Sequence, residues 1–99
     1  MGTPIQIAHI EISENDFGQP EPIVAGTRIK VHDVVAAYFF GESSVEWIAE
    51  NFGISPAQVH AALSYYYDNK EQIDREIEEA EAYAKSAGID AKEYFKKLR

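Results

Sequence analysis

The chain has 99 residues, 45% of them apolar and 12% aromatic, which suits one domain with a modest core and excludes disorder throughout. It has no cysteine, which removes disulfides and thiolate metal sites. Seventeen acidic residues against nine basic ones give a net charge of −8, the wrong sign for a protein that grips phosphates unaided.

The charge is unevenly spread. Residues 1–68 hold two cations, Arg28 and Lys30, against nine acids, a balance of −7, and residues 69–99 come to −1. From Lys92 to Arg99 four cations face only Glu93. No signal-peptide pattern opens the chain, and no apolar run approaches the roughly 20 residues of a membrane helix. A cytoplasmic protein is expected, with no contact to a membrane.

Residues 1–31 read as a short β segment. Ile5, Ile7, Ile10 and Ile12 are β-branched, but their alternation changes phase between Ala8 and His9. Residues 15–22 (NDFGQPEP) form a turn-rich break, and Pro20 and Pro22 exclude a central strand there. From Thr27 the pattern alternates cleanly, with Thr27, Ile29 and Val31 facing one way and Arg28 and Lys30 the other. Two adjacent cations suit an anion, a phosphate backbone or a partner's carboxylates; they equally suit a solvated strand face.

A first helix is predicted over residues 32–40, with Val34, Val35, Tyr38 and Phe39 in the core and Gly41 ending it. Residues 45–64 (VEWIAENFGISPAQVHAALS) then read as helix, turn and helix. Ser43 is the expected N-cap, with Glu46 completing a capping box. Ile48, Ala49 and Phe52 share one face, and Gly53 falls where a chain leaving a helix needs positive φ. Ser55 caps the next helix, Pro56 suits its first turn and Gln58 is the reciprocal capping partner. That order of demands is the order found in a helix-turn-helix unit, and with the first helix it gives a trihelical core over residues 32–68. The same corner also occurs in proteins that touch no DNA.

Tyr65, Tyr66 and Tyr67 sweep about 200° of a helix, so they cannot all face one core. Asn69 caps a long helix with Gln72 in the capping-box position, and Ile73, Ile77, Ala80, Ala84 and Ala87 form a heptad-like seam. Glu71 with Arg75 and Glu81 with Lys85 are i,i+4 pairs. Gly88 ends that helix. Asp90 caps a last one carrying Tyr94, Phe95 and Leu98 as an apolar stripe among Lys96, Lys97 and Arg99. Residues 69–99 thus make a helical arm, and the whole chain is expected to be one mainly α domain.

No catalytic constellation, metal site or cofactor motif appears. His9, His32 and His60 are isolated, and His32 and Asp33, adjacent in sequence, are expected to point apart. An enzyme is therefore not expected.

Gly26-Thr27-Arg28-Ile29-x-Val31, Gly41-x-Ser43, Ile48 and Gln58-Val59-x-Ala61-Ala62-Leu63-x-Tyr65 together resemble a prokaryotic domain-of-unknown-function family with the GTRI signature. Its members have a homeodomain-like helix-turn-helix and are described as VapB-like antitoxins. The resemblance covers residues 10–77. It implies an antitoxin that silences a PIN-domain ribonuclease toxin and represses its own promoter DNA. The DNA-facing residues would be Ser55, Gln58, His60 and Ser64, with Arg28 and Lys30 meeting phosphates. His60 adds charge only when protonated. A homodimer is expected, because two recognition helices suit a palindromic site. The arm residues Tyr94, Phe95, Lys96, Lys97, Leu98 and Arg99 would hold the toxin, a cation reaching its carboxylates. The alternative is a non-enzymatic protein–protein adaptor that keeps the shape without binding DNA.

Overall fold

The computed structural model describes residues 9–89. Two strands, β1 (Ile10–Glu14) and β2 (Pro20–Val24), are followed by four helices: α1 (Val31–Phe39), α2 (Val45–Phe52), α3 (Pro56–Asp68) and α4 (Lys70–Ser86). The protein is mainly helical with a short two-stranded sheet at its N-terminal side.

The sheet is an antiparallel hairpin with Ile10 opposite Val24, Ile12 opposite Pro22 and Glu14 opposite Pro20. Its turn is tied by one side chain. Asn15 Oδ1 accepts from the backbone N–H of Phe17 at 2.8 Å and of Gln19 at 3.0 Å, an Asx-type closure. β2 lies earlier than the strand expected at residues 27–31, and it includes both prolines. The reason is phase. Ala25 N donates to His9 O and Asn15 N to Gln19 O, so Glu11/Ile23 and Ser13/Glu21 are the hydrogen-bonded pairs. The nitrogens of Pro20 and Pro22 therefore face away from β1, where no ladder donor is needed. At His9, where the sequence pattern changes phase, φ is 73°.

Residues 27–29 are not extended. Thr27 Oγ1 donates to Val24 O at 2.7 Å and accepts from Ile29 N at 3.0 Å, which wraps the chain into a turn. Lys30 keeps only an isolated bridge to Ile23. Arg28 and Lys30 consequently share no strand face.

α1 is enclosed by its neighbours over most of its length. Val31, Val34, Val35, Ala36 and Ala37 are buried, whereas Tyr38 and Phe39, expected in the core, are 38% and 41% exposed. α1 packs against α3 and α4, and its last turn emerges at the surface. Gly41 is required next by a close approach: a Cβ there would lie 2.7 Å from Ala37 O.

Ser44 rather than Ser43 caps α2, its Oγ accepting from Trp47 N at 3.0 Å, so Glu46 stands one position short of a capping box. Ser43 instead ties back to α1, its N–H donating to Ala37 O. α2 contributes Ile48, Ala49 and Phe52 to the core, and α3 contributes Val59, Ala62, Leu63 and Tyr66. α4 lays Ile73 and Ile77 on the same cluster with Ala80 at its margin; Ala84 is buried and Ala87 exposed. The apolar seam is thus used within the domain.

Asn69 does not cap α4 with its side chain: Nδ2 donates backwards to Tyr65 O at 3.0 Å. A single residue between two helices leaves no room for both roles. Gln72 donates to Glu76 instead of closing a box. Glu71–Arg75 and Glu81–Lys85 do not form ion pairs, and Lys70 pairs with Asp74 at 3.0 Å. Gly88, at φ 78°, turns the chain after α4 as expected. The last predicted helix and the stripe of Tyr94, Phe95, Lys96, Lys97, Leu98 and Arg99 lie outside the described residues, as do residues 1–8. Among the described residues, no helix is long and apolar enough to cross a membrane.

Candidate functional site

The surface with the strongest local definition is the α2–turn–α3 corner. Gly53 closes α2 at φ 71°, a left-handed conformation that costs a residue with a Cβ roughly 1 kcal/mol. Ile54 N then donates to Ala49 O at 3.0 Å, and Ile54 packs against the core. α3 starts with a complete capping box. Ser55 Oγ accepts from Gln58 N at 3.1 Å, while Gln58 Oε1 accepts from Ser55 N at 2.6 Å.

This corner fixes most of the candidate side chains. Ser55 is exposed at the N-cap of α3, His60 and Ser64 are exposed on the helix one turn apart, and Gln58 is half-buried. The capping box holds Gln58 Oε1 at the helix start, so its Nε2 amide is the group left to face outward. Arg28 and Lys30 stand apart on the loop between β2 and α1. Arg28 is exposed, and Lys30 lies 3.7 Å from Glu21. Neither α2 nor α3 contains a lysine or arginine, and Glu46, Glu50 and Asp68 are exposed on them. The corner is shaped by caps and turn, and it is acidic.

Two further clusters escaped sequence reasoning. At the ends of α1 and α3, Tyr38, Phe39, Tyr66 and Tyr67 form a chain of ring contacts with centroids 5.0, 5.6 and 5.4 Å apart. Tyr66 is buried and Tyr67 is 64% exposed, which resolves the three-tyrosine run as its helical sweep demands. Tyr66 Oη donates to Asp74 Oδ1 at 2.8 Å. That bond, and then Lys70, hold the Asp74 carboxyl below its usual range. Lys70 also sits 5.4 Å from the Tyr66 ring centroid.

The second cluster is buried. His32, in the first turn of α1, has Nδ1 3.0 Å from Glu76 Oε1 of α4 and Nε2 3.2 Å from Asp33 Oδ1. Glu76 Oε2 accepts in turn from Gln72 Nε2 at 3.1 Å. The side chains of His32 and Asp33, expected to point apart, meet instead at 3.2 Å. Burial pushes the imidazole's pKa down, but the hydrogen bonds and charges of Asp33 and Glu76 outweigh it and raise the value to about 9. His32 is accordingly an imidazolium whose Nδ1 donates to Glu76 and whose Nε2 is ion-paired with Asp33, a carboxylate on each side. The two carboxylates take opposite edges of the ring and do not converge, and among the described residues no group of three or more potential ligands could hold a metal ion.

These features define a small helical domain with a β-hairpin in front, a capped helical corner and a charged latch between its first and last described helices. The chain belongs to the family described as "protein of unknown function (DUF433)", whose model matches residues 16–66. The match runs from the hairpin turn to Tyr66 of α3 and leaves α4, with Glu76, outside. Neither a curated protein nor a solved structure matches the chain.

Proposed function

We propose that the chain is the antitoxin of a prokaryotic toxin–antitoxin pair, and that α2, the Gly53 turn and α3 serve as a helix-turn-helix on promoter DNA. The observation that carries this reading is the corner itself: a left-handed glycine and a capping box set how α3 leaves α2, and Ser55, His60 and Ser64 lie exposed along it, as a recognition helix would need. Ser55 and Ser64 would meet phosphates, Gln58 Nε2 would donate to a base edge and His60 would lie between them. The resemblance to VapB-like antitoxins through the GTRI segment supports the same class. The toxin, a PIN-domain ribonuclease, would be held by residues 94–99.

One observation favours a second reading, a protein–protein adaptor that keeps this shape without DNA. α2 and α3 carry no cation and expose Glu46, Glu50 and Asp68. Fluorescence anisotropy on the DNA upstream of the protein's own reading frame separates the two. The antitoxin reading expects binding by the dimer or the toxin complex. Its log K should fall with log[salt] at a slope of only about −2 to −4, since each subunit offers few cations to phosphates. Absence of binding in every state, with a protein partner still captured, would install the adaptor. For the toxin, deleting residues 89–99 should leave the melting temperature in place and abolish neutralisation of a co-expressed ribonuclease; full neutralisation by the truncated chain would refute that role.

A further inference from the structure

The two outer edges of the hairpin are unlike. Because Glu11/Ile23 and Ser13/Glu21 bond across the sheet, the outward groups on β2 belong to Pro20, Pro22 and Val24. The prolines have no N–H, and Val24 N donates to Ile29 O at 2.8 Å. The β2 edge therefore offers no free donor. On β1 the outward groups belong to Ile10, Ile12 and Glu14. Their three N–H and three C=O groups take no partner among the described residues. Such an edge is a template for another strand. It also carries Ile12, 56% exposed, and leads to Phe17, 86% exposed at the hairpin tip.

We propose that β1 pairs antiparallel with β1 of a second copy of this chain, about a two-fold axis through Ile12, joining two hairpins into one four-stranded sheet. The inference is independent of whether α3 meets DNA. Its occupant is indicated by self-complementarity of the strand Ile-Glu-Ile-Ser-Glu. Only registers that pair outward residues with outward residues are available, and centring on Ile12 uses all of them. Ile12 faces Ile12 of the partner subunit, Ile10 faces Glu14 of the partner subunit and Glu14 faces Ile10 of the partner subunit, making six hydrogen bonds. A shift by two residues to either side keeps four of these bonds.

Charge selects the same register. Centred on Ile12, Glu11 stands opposite Ser13 of the partner subunit, whereas a shift of two toward the strand start would set Glu11 against Glu11 of the partner subunit at about 4.5 Å between Cα atoms. Glu11 is moreover already engaged, its Oε1 accepting from Gly26 N at 3.0 Å. The two Glu14 carboxylates end up about 14 Å apart, beyond the roughly 8–10 Å over which exposed charges repel at ordinary salt. The two Ile12 side chains, directly opposite on one face, cover one another. Association of this kind is isologous and closes at two subunits. With both β2 edges blocked by proline, the resulting sheet stops at four strands.

The absence of native cysteine allows a direct test. Facing residues of a non-hydrogen-bonded pair lie within disulfide range. Full-length Glu11→Cys and Ser13→Cys chains should each fail to cross-link alone and should form a disulfide-linked dimer when mixed. Sedimentation should give a dimer for the wild-type chain. Ile12→Pro, which removes an N–H that the hairpin itself does not use, should give a monomer with an unchanged helical spectrum. Cross-linking of Glu11→Cys alone or of Ser13→Cys alone would overturn the register. A wild-type monomer throughout the micromolar range, or an Ile12→Pro dimer, would overturn the interface. If Ile12→Pro fails to fold, the mixed cross-link decides: its formation upholds the pairing and its absence refutes it.

Discussion

Raising the pH should loosen this domain between about 6.5 and 9, and one side chain is the reason. His32 is buried between α1 and α4, with carboxylate oxygens 3.0 and 3.2 Å from its two nitrogens. In the unfolded chain the imidazole titrates at 6.5; in the folded protein it is held up to about 9. The charged ring therefore stabilises the fold in full below 6.5, and that contribution is lost as the pH rises through about 9. The difference corresponds to about 3 kcal/mol, a large share of the 5–15 kcal/mol typical of a domain. With a urea m-value of about 1–2 kcal/mol/M, the unfolding midpoint should drop by roughly 1–3 M across this window. The Tyr65, Tyr66 and Lys70 groups are all shifted upward from 10 or above, so their effects fall at higher pH. His32→Gln keeps a polar group in place but cannot titrate, and it should flatten the profile. A wild-type midpoint constant from pH 6.5 to 9, or a slope retained in His32→Gln, would refute the latch.

Three further substitutions test the packing. Gly53→Val should lower stability by more than about 1 kcal/mol in chemical denaturation, through φ alone, since no atom lies within 4 Å of a Cβ built there. Gly41→Ala should cost about 1–3 kcal/mol for the opposite reason, a collision with the Ala37 carbonyl, and a thermal midpoint equal to wild type would show that the α1–α2 link yields freely. Tyr66→Phe should cost about 1 kcal/mol by loss of the bond to Asp74, and should raise the Asp74 carboxyl toward its usual range in a carboxylate NMR titration.

The features legible in the sequence were those decided within one turn of chain. Ser55 and Gln58 meet three residues apart, and Gly53 supplies a φ that its neighbours demand, so local pattern was enough to place them. Gly88 and the divergence of the three tyrosines are of the same kind. What stayed hidden depended on partners far along the chain. His32 looked isolated because Glu76 lies 44 residues away, and no periodicity announces such a pair. Tyr38 and Phe39 followed the helical spacing of a core face, but tertiary packing buried Ala36 and Ala37 instead. The prolines argued rightly against a central strand, yet they permit an outer one, and that distinction rests on the hydrogen-bond phase. Ser43 was the expected cap of α2, but the tie from Ser43 N to Ala37 O holds it to α1 and leaves the role to Ser44. Within the candidate site, the positions of Ser55, His60 and Ser64 and the engagement of Gln58 in the cap were readable, whereas the pairing of Lys30 with Glu21 depends on how β2 and the loop after it fold back on each other.

The attachment of α4 has a consequence for how the molecule opens. Ile73 and Ile77 in the core, Asp74 on Tyr66 and Glu76 on His32 all lie in the first half of the helix. The contacts among β1, β2 and the hairpin turn, and between α2 and α3, are by contrast close in sequence and form without waiting for a distant segment. Release of α4 therefore requires that the ion cluster at His32, the bond from Tyr66 to Asp74 and the two isoleucines be given up together. Amide exchange along α4 would then proceed through this sub-global opening, its protection rising or falling as a block with the charge on His32.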